Sequence, residues 1–444
     1  MRGIVNHCTQ YDIFYGELMV SMALCDVQTV KPKHGRLIYI GFILFGVLIS
    51  MLTFLPAFRG FFVVHSHYCN RNTSQGKCDI LVGHILLYRI FIGMMLFFLI
   101  LAMIDCQLTV FTTFSVWLEN GFWFIKFHLF CLSILLSLLI PEGHLSNAIM
   151  HLGWIASFIV MVIQLVLIID LAKTLNTYWV ERMELSSRPN AWYFSMLFVT
   201  SLLYTLSVAL IVYFYAMYAI SKDCRTNLIF ITTVVLLCVV ASLLSIHPKV
   251  RETGLLQAGI VTSYSIYFAW TCMAHYPNSA CNPTWNLLVV TEFNFHLQFN
   301  MIFDLLVTFA LLVYGVVRVP SVQYLLASIS LMDCCIFQSK DENNLESPAK
   351  DNERPLVVSN FLIFYLFLIL ICLHLLMTIS NFYTPEGIVG TEDEVVESEY
   401  KLIDMDDYVK SLSQWVASCL KMIVCVLFLL MYMWTILAPV ILPH

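Results

Sequence analysis

Long uninterrupted runs of apolar residues dominate the sequence and alternate with shorter polar segments. A bilayer core of about 30 Å is crossed by about 20 apolar residues, because an α-helix rises about 1.5 Å per residue. Ten runs fit this length, and they cover residues 37–58, 80–104, 122–140, 149–171, 193–220, 226–246, 257–275, 299–317, 359–379 and 415–440. The pattern predicts an all-α integral membrane protein with about ten transmembrane helices.

The composition excludes several classes of protein. Of the 444 residues, 60% are hydrophobic and 12% are charged, whereas a soluble domain is about half apolar and a quarter charged. The net charge of -6 leaves no basic surface for phosphates, so we expect no nucleic-acid partner. The apolar run 18–24 is short and lies between Glu17 and Asp26, so we expect the first span, rather than a cleavable signal peptide, to direct insertion.

Two signals predict the same orientation in the membrane. Asn72 begins the one Asn-x-Ser/Thr sequon without proline, which predicts a glycan and an outer position for the loop between spans 1 and 2. The N-terminal segment and the even-numbered loops carry 13 Lys and Arg residues, against 7 in the odd-numbered loops. Both signals place the two termini in the cytosol. The sequence leaves open whether the membrane is the plasma membrane or an endomembrane of the endoplasmic reticulum or Golgi.

The runs divide the chain into four predicted segments. These are a cytosolic N-terminal segment (1–35), helices 1 to 8 (36–318), a disordered cytosolic loop (319–358) and helices 9 and 10 (359–444). Residues 381–414, between the last two helices, form a predicted outer loop rich in Asp and Glu. The simplest interpretation of this acidity is a solvated surface that keeps the loop out of the membrane.

Cysteine positions predict disulfide bridges on the outer side. Cys69 and Cys78 share the first outer loop, while Cys224 and Cys281 lie in different outer loops. An oxidising compartment favours a bridge at both places, and the alternative for each pair is two free thiols. No C-x-x-C pair occurs among the 15 cysteines, so we predict neither a metal site nor a cofactor.

Charged residues inside the predicted spans are candidates for a site, because each costs about 2.5–3.5 kcal/mol at the bilayer centre. Arg89 in span 2 and Glu142 at the end of span 3 lie at matching depths, as do Lys126 in span 3 and Asp170 in span 4. Two interpretations remain open: charge pairs that only hold helices together, or a polar path for a substrate. Four further residues could extend such a path, namely Glu119, Asn120, Gln164 and Asp304.

Common catalytic motifs are absent from the sequence, including H-E-x-x-H, G-x-S-x-G and the P-loop. The histidines at 84, 128, 151 and 374 stand singly on apolar helices, where a hydrogen-bonded core role is more frequent than metal binding. We therefore expect neither an enzyme nor an ATP-driven pump.

A series of ordered motifs resembles the serine incorporator (serinc) family of multipass membrane proteins. The motifs are CDILVG at 78–83, YR at 88–89, NGFWFIKF at 120–127, IPEG at 140–143, QLVLIID at 164–170, LLSIHPKV at 243–250, GLLQ at 254–257, CNP at 281–283, MTISNFY at 377–383 and WTILAP at 434–439. The resemblance covers about residues 36–442. It implies two helical subdomains braced by long diagonal helices, with a groove that is accessible to lipid.

The resemblance implies a function connected with membrane lipids. Family members are associated with serine incorporation into phosphatidylserine and sphingolipids, with ATP-independent phospholipid scrambling, and with restriction of enveloped viruses. Scrambling is our leading hypothesis, with membrane phospholipids as partners and with Arg89, Glu142, Lys126 and Asp170 lining the headgroup path. The alternatives are a facilitator that supplies serine to lipid-synthesising enzymes, and a non-transporting protein that acts through its acidic outer loop. The sequence predicts no particular oligomeric state.

This chain departs from the family pattern at three places. The usual cysteine-rich N-terminus is reduced to Cys8 and Cys25, and the loop after Asp105 has no Lys or Arg before Lys126. Span 10 is extended around residues 417–426, with Lys421 inside it.

Overall fold

The regular secondary structure is helical throughout the part of the chain that the structure describes. The computed structural model describes residues 32–53, 55, 58, 75–108, 121–140, 145–219, 224–247, 254–276, 281–282, 299–317, 354–380 and 399–441. Its helices are α1 (Pro32–Leu52), α2 (Gln75–Leu108), α3 (Trp123–Ser137), α4 (Leu145–Leu185), α5 (Pro189–Tyr218), α6 (Arg225–Ile246), α7 (Leu255–Ala274), α8 (Phe299–Val317), α9 (Arg354–Ser380) and α10 (Glu399–Ile441). Within the described ranges, seven helices are long and apolar enough to cross a membrane, and α3 and α8 are shorter apolar helices. The prediction of an all-α multipass membrane protein is confirmed.

Each predicted span coincides with one helix, but several predicted boundaries are wrong. Helix α4 continues to Leu185, and α10 begins at Glu399, so the predicted outer loop 381–414 is helical from residue 399 onwards. Helix α9 begins at Arg354, inside the segment 319–358 that was expected to be a disordered loop. The apolar-run criterion stops where charged residues begin, although Glu, Lys and Arg are good helix formers.

Three predictions fall outside the part of the chain that the structure describes. Asn72 and Cys69 lie in the undescribed segment 59–74, and the side chain of Cys78 is also not described. The glycan and the first disulfide therefore stay predictions, as does the position of the two termini.

Among the described residues, most of the buried apolar side chains belong to two large separate cores. The first core is built mainly by α1, α2, α3 and α9, and the second mainly by α5, α6, α7 and α10. Helix α4, with 41 residues and a length of about 60 Å, enters both cores. Its Ile149 and Val160 pack in the first core, whereas Leu165 and Ala172 pack in the second. The long helix therefore joins two helical subdomains.

A close approach between α2 and α3 depends on a glycine. A Cβ atom at Gly93 would lie 2.6 Å from the Ile134 Cα atom and 2.9 Å from the Ser133 carbonyl oxygen. Both contacts involve backbone, which cannot rotate away. Gly93 therefore allows the two helices to pack closely. A hydrogen bond also joins them, since the Ser137 hydroxyl donates to the Arg89 carbonyl oxygen at 2.7 Å.

We expect Gly93→Ala to lower the free energy of unfolding by about 1–3 kcal/mol, because the added methyl group overpacks this contact. Gly41→Ala on α1 is the matched control, since a Cβ there meets nothing within 4 Å. That control should be neutral or stabilising, because alanine is the better helix former. The free energy of unfolding of both variants, measured in mixed micelles, tests this prediction. Equal stability of the two variants would contradict the role of Gly93.

A disulfide closes one end of the second subdomain. Cys224 and Cys281 are joined over a sequence separation of 57 residues. The Asn227 side-chain amide donates to the Cys281 carbonyl oxygen at 3.1 Å, and the Asn282 amide donates to the Ala274 carbonyl oxygen at 2.8 Å. These bonds tie the start of α6 to the end of α7. We call this end of the helix bundle the disulfide end.

Replacing both bridged cysteines, as Cys224→Ser/Cys281→Ser, should lower the free energy of unfolding by about 2–5 kcal/mol, because the unfolded chain regains the freedom of a long loop. Cys419→Ser is the control, because Cys419 is a free and exposed cysteine. Thermal unfolding under non-reducing conditions measures the difference. A double variant as stable as the control would show that the bridge is not formed in the folded protein.

Candidate functional site

Helix α8 carries polar side chains that contact three neighbouring helices. Near its start, the Lys421 ammonium of α10 donates to Asp304 Oδ2 at 2.9 Å. The hydroxyl of Tyr267 on α7 donates to the other carboxylate oxygen, Asp304 Oδ1. Both oxygens of this carboxylate therefore have partners, which a charge inside a membrane bundle requires.

Two more polar contacts follow further along α8. The Gln164 amide donates to the Thr308 hydroxyl at 3.0 Å, and the Tyr314 hydroxyl donates to Asp170 Oδ2 at 2.7 Å. From Asp304 to Tyr314 the helix rises by ten residues, or about 15 Å. That is about half the thickness of a bilayer core. We call this series of contacts the α8 polar ladder, and its three positions on α8 the Asp304, Thr308 and Tyr314 rungs.

The second and third rungs show the relative direction of α4 and α8. Gln164 and Asp170 are six residues apart on α4, and their partners Thr308 and Tyr314 are six residues apart on α8. The two helices are therefore parallel here. Gly315 allows the close approach, because a Cβ there would lie 3.1 Å from the Leu167 Cδ1 atom. The parallel direction agrees with the predicted topology, in which the even-numbered spans 4 and 8 cross the membrane in the same direction.

The opposite face of α8 is apolar and exposed. Leu306 and Val313 each expose more than a third of their area on the surface of the helix bundle. In a membrane this surface meets acyl chains. Helix α8 thus separates a lipid-facing apolar surface from an inward-facing row of polar groups.

A small cavity of about 20 Å³ opens beside the first two rungs. This volume has room for about one water molecule. The cavity lies about 10 Å inside the disulfide end, since Tyr267 is seven residues before the end of α7. Polar side chains from five helices line it: Gln164, Tyr264, Tyr267, Asp304, Thr308, His374, Thr378 and Lys421.

The charges around the cavity balance. Asp304 and Lys421 are the one carboxylate and the one ammonium among the described residues that line it, and their side chains are only 15% and 7% exposed. Removing one of them would leave an uncompensated buried charge, which is strongly destabilising. His374 of α9 also lines the cavity. It is buried, and its Nδ1 makes no hydrogen bond to any residue that the structure describes.

The structure does not bring the predicted partners Lys126 and Asp170 together. Lys126 Nζ donates to the Tyr39 hydroxyl at 2.8 Å and lies 4.5 Å from the centre of the Trp123 ring. Asp170 accepts instead from Tyr314 on α8. The predicted pairing of these two is therefore wrong. Aromatic and hydroxyl groups stabilise the lysine, by cation–π attraction and a hydrogen bond, in a way that charge matching overlooks.

Arg89 of α2 contacts the end of α3, close in sequence to its predicted partner Glu142. Its Nη1 donates to the Leu138 carbonyl oxygen at 2.9 Å, and the residue is buried. Glu142 follows four residues later but lies outside the described residues, as do Glu119 and Asn120. The Arg89–Glu142 pair therefore stays a prediction. Gln164 and Asp304, which were expected only to extend a path, are rungs of the ladder.

Four residues of the site were not among the candidates predicted from the sequence: Tyr267, Thr308, Tyr314 and Lys421. The sequence does contain a signal for Lys421, the charged residue of the four. Asp304 lies five residues after the start of predicted span 8, and Lys421 lies six residues after the start of predicted span 10. Both spans are even-numbered and so begin on the same side, and the two residues therefore lie at matching depths. The hydroxyl groups give no such signal, because Thr and Tyr are common in apolar helices.

No group of three His, Cys, Asp or Glu side chains that could hold a metal ion occurs among the described residues. The ladder therefore offers hydrogen-bonding groups and one ion pair. Such a set can bind or pass polar and zwitterionic groups.

Comparison with known proteins identifies the family. The family model described as Serine incorporator (Serinc) matches residues 13–444. A probable serine incorporator from Nematostella vectensis is 30% identical over 433 residues, covering 92% of this chain and 90% of the relative. Serine incorporator 3 from Bos taurus is 29% identical, covering 95% and 93%, and serine incorporator 2 from Homo sapiens is 26% identical with the same coverage. The chain belongs to the serine incorporator family.

Proposed function

We propose that this protein moves phospholipids between the two leaflets of a membrane without ATP, and that headgroups pass along the α8 polar ladder. The observation that carries the proposal is the ladder itself. Its polar groups extend over about 15 Å along one helix, directly behind a surface of α8 that is apolar and exposed.

The headgroup, not the acyl chains, sets the energetic barrier to lipid movement between leaflets. A polar or charged group that leaves water for hydrocarbon loses its hydrogen bonds at a cost of several kcal/mol. Successive hydrogen-bonding groups that replace water along the path lower this barrier. The acyl chains need no such path, because they can remain in the bilayer along the exposed apolar face of α8. Phospholipids would move in this way down their concentration gradient or in exchange for one another, and no chemical step is required.

The Asp304 and Tyr314 rungs suit the two ends of such a path. The first combines a carboxylate and an ammonium, which complement the ammonium and phosphate of a phospholipid headgroup. The third offers a carboxylate and a phenol, Asp170 and Tyr314. By the orientation predicted from the sequence, the first rung lies toward the outer leaflet and the third toward the cytosolic leaflet.

The names of the relatives favour a second candidate function, the facilitation of serine incorporation. The family resemblance found in the sequence implies phosphatidylserine and sphingolipids as the products. This function requires a lipid-synthesising partner enzyme, whereas scrambling requires only the protein and a bilayer. The two candidates therefore differ in what the purified protein can do alone.

Reconstitution of the purified full chain into liposomes tests the proposal. The liposomes carry a phospholipid with a fluorescent headgroup in both leaflets, and an impermeant reductant destroys the label that reaches the outside. We expect loss of nearly all fluorescence without ATP, against about half in protein-free liposomes, where only the outer leaflet is accessible. Loss of only half in liposomes that contain folded protein would reject scrambling and leave serine facilitation as the better candidate.

A further inference from the structure

The cavity beside the first rung has the chemistry of a cation site. Its wall contains one carboxylate, from Asp304, and the aromatic rings of Tyr264, Tyr267 and Phe268. Carboxylates attract cations by charge, and aromatic faces attract them through the ring quadrupole. The imidazole of His374 adds a ring nitrogen, Nδ1, that makes no hydrogen bond to any described residue. In a neutral imidazole one ring nitrogen accepts a hydrogen bond.

An ammonium group already occupies this site. Lys421 reaches across from α10, and its Nζ lies 2.9 Å from Asp304 Oδ2. Lysine carries a compact ammonium with three N–H donors on a flexible stem of four carbons. Because this stem can rotate, the ammonium can leave the carboxylate while its backbone stays in α10.

We propose that the cavity is a binding site for a primary ammonium group and that Lys421 is its built-in competitor. When an incoming ammonium binds Asp304, the displaced Lys421 pairs with the phosphate or carboxylate of the same ligand. Each charge then keeps a partner throughout the exchange, which avoids the cost of an isolated charge in the membrane.

Two sources supply this chemistry. One is the headgroup of an aminophospholipid, with ethanolamine or serine, and the other is a free amine such as serine itself. The lipid source rests on the proposed function, whereas binding of a free amine does not. The trimethylammonium group of choline fits poorly, since it has no N–H donor for Asp304 or His374 and is larger than the ammonium of lysine.

Chemical rescue tests the site directly. Lys421→Ala removes the atoms of the side chain beyond Cβ, and propylammonium contains the same three carbons and ammonium group. In phosphatidylcholine nanodiscs, we expect propylammonium to raise the melting temperature of the full-length Lys421→Ala variant by several degrees, because it binds the folded state at Asp304. Tetramethylammonium, which has no N–H donor, should leave the melting temperature unchanged.

Two variants control for unspecific effects. Lys421→Ala/Asp304→Asn lacks the carboxylate and should not respond to propylammonium. Lys126→Ala also loses a buried lysine, but one that contacts Tyr39 and Trp123 instead of this cavity, and it should not respond either. No rise for folded Lys421→Ala, or an equal rise in either control, would overturn the site.

A second set of nanodiscs decides between the two sources. If the lipid headgroup is the ligand, replacing part of the phosphatidylcholine by phosphatidylethanolamine should raise the melting temperature of Lys421→Ala, and only when Asp304 is present. A rise with propylammonium and free serine, but none with phosphatidylethanolamine, would assign the site to free amines and overturn the lipid assignment. Because these are binding measurements, their result does not depend on whether the protein scrambles lipids.

If Lys421→Ala does not fold, retention of lipids by wild type provides the test. Wild type should retain phosphatidylethanolamine over phosphatidylcholine in native mass spectrometry. Lys421→Met/Asp304→Asn removes both charges while keeping similar volumes, and it should lose this preference. The same preference in both proteins would overturn the proposal.

Discussion

Lys421→Met should destabilise the protein by about 3–5 kcal/mol, because it leaves the Asp304 carboxylate buried without its cation. Methionine keeps most of the length of the lysine side chain, so the change removes the ammonium with little loss of volume. The Tyr267 hydroxyl alone cannot balance a full negative charge. We expect a lower yield of folded protein and an earlier unfolding transition in mixed micelles.

The double variant Lys421→Met/Asp304→Asn separates the charge from the packing. It removes both charges together, so its loss of stability should be clearly smaller than that of Lys421→Met alone. Asp304→Asn alone should also be worse than the double variant, because it leaves the Lys421 ammonium buried. Strictly additive losses would show that the two groups do not interact, contrary to their 2.9 Å separation.

Replacing the middle rung should slow scrambling at least about tenfold. Gln164→Leu/Thr308→Val removes both partners of one hydrogen bond, so no buried group is left unsatisfied and the fold should be kept. A headgroup then meets an apolar step in the middle of its path. Loss of one hydrogen bond to a charged group costs about 1.5–3 kcal/mol, and each 1.4 kcal/mol is a factor of ten in rate.

The liposome assay described above measures this effect at matched amounts of folded protein. Thr233→Val on α6 is the control, since α6 contributes no residue to the ladder and the half-buried Thr233 hydroxyl donates to the Ile229 carbonyl oxygen of its own helix. This control should scramble like wild type. Undiminished scrambling by the folded double variant would show that the middle rung has a structural role only.

The fold could be predicted from the sequence because membranes restrict what a chain can do. Hydrocarbon requires every backbone group to bond internally, so long apolar runs must become helices. The same criterion failed at the ends of α4, α9 and α10, where charged residues extend a helix beyond the apolar run. A pattern of apolar residues marks the membrane-spanning part of a helix and not the helix itself.

The site was harder to predict, because pairing depends on which helices are neighbours. Depth along a span can be counted from the sequence, and it places Asp304 and Lys421 at the same level as well as Lys126 and Asp170. Only the packing decides between them. Lys126 lies in the first subdomain beside Tyr39, while Asp170 lies between α4 and α8. Nothing in the local sequence shows that α8 is the helix on which the polar contacts meet.

Covalent trapping of a lipid headgroup tests most directly whether headgroups follow the inner side of α8. A phospholipid with a maleimide headgroup is added to liposomes that contain Thr308→Cys or Leu306→Cys, and peptide mapping by mass spectrometry locates the modified cysteine. Thr308 is a buried rung of the ladder, whereas Leu306 is two residues away on the exposed face. We predict modification of Thr308→Cys and little modification of Leu306→Cys. Modification of Leu306→Cys alone, with Thr308→Cys unreacted in folded protein, would contradict a headgroup path along the ladder.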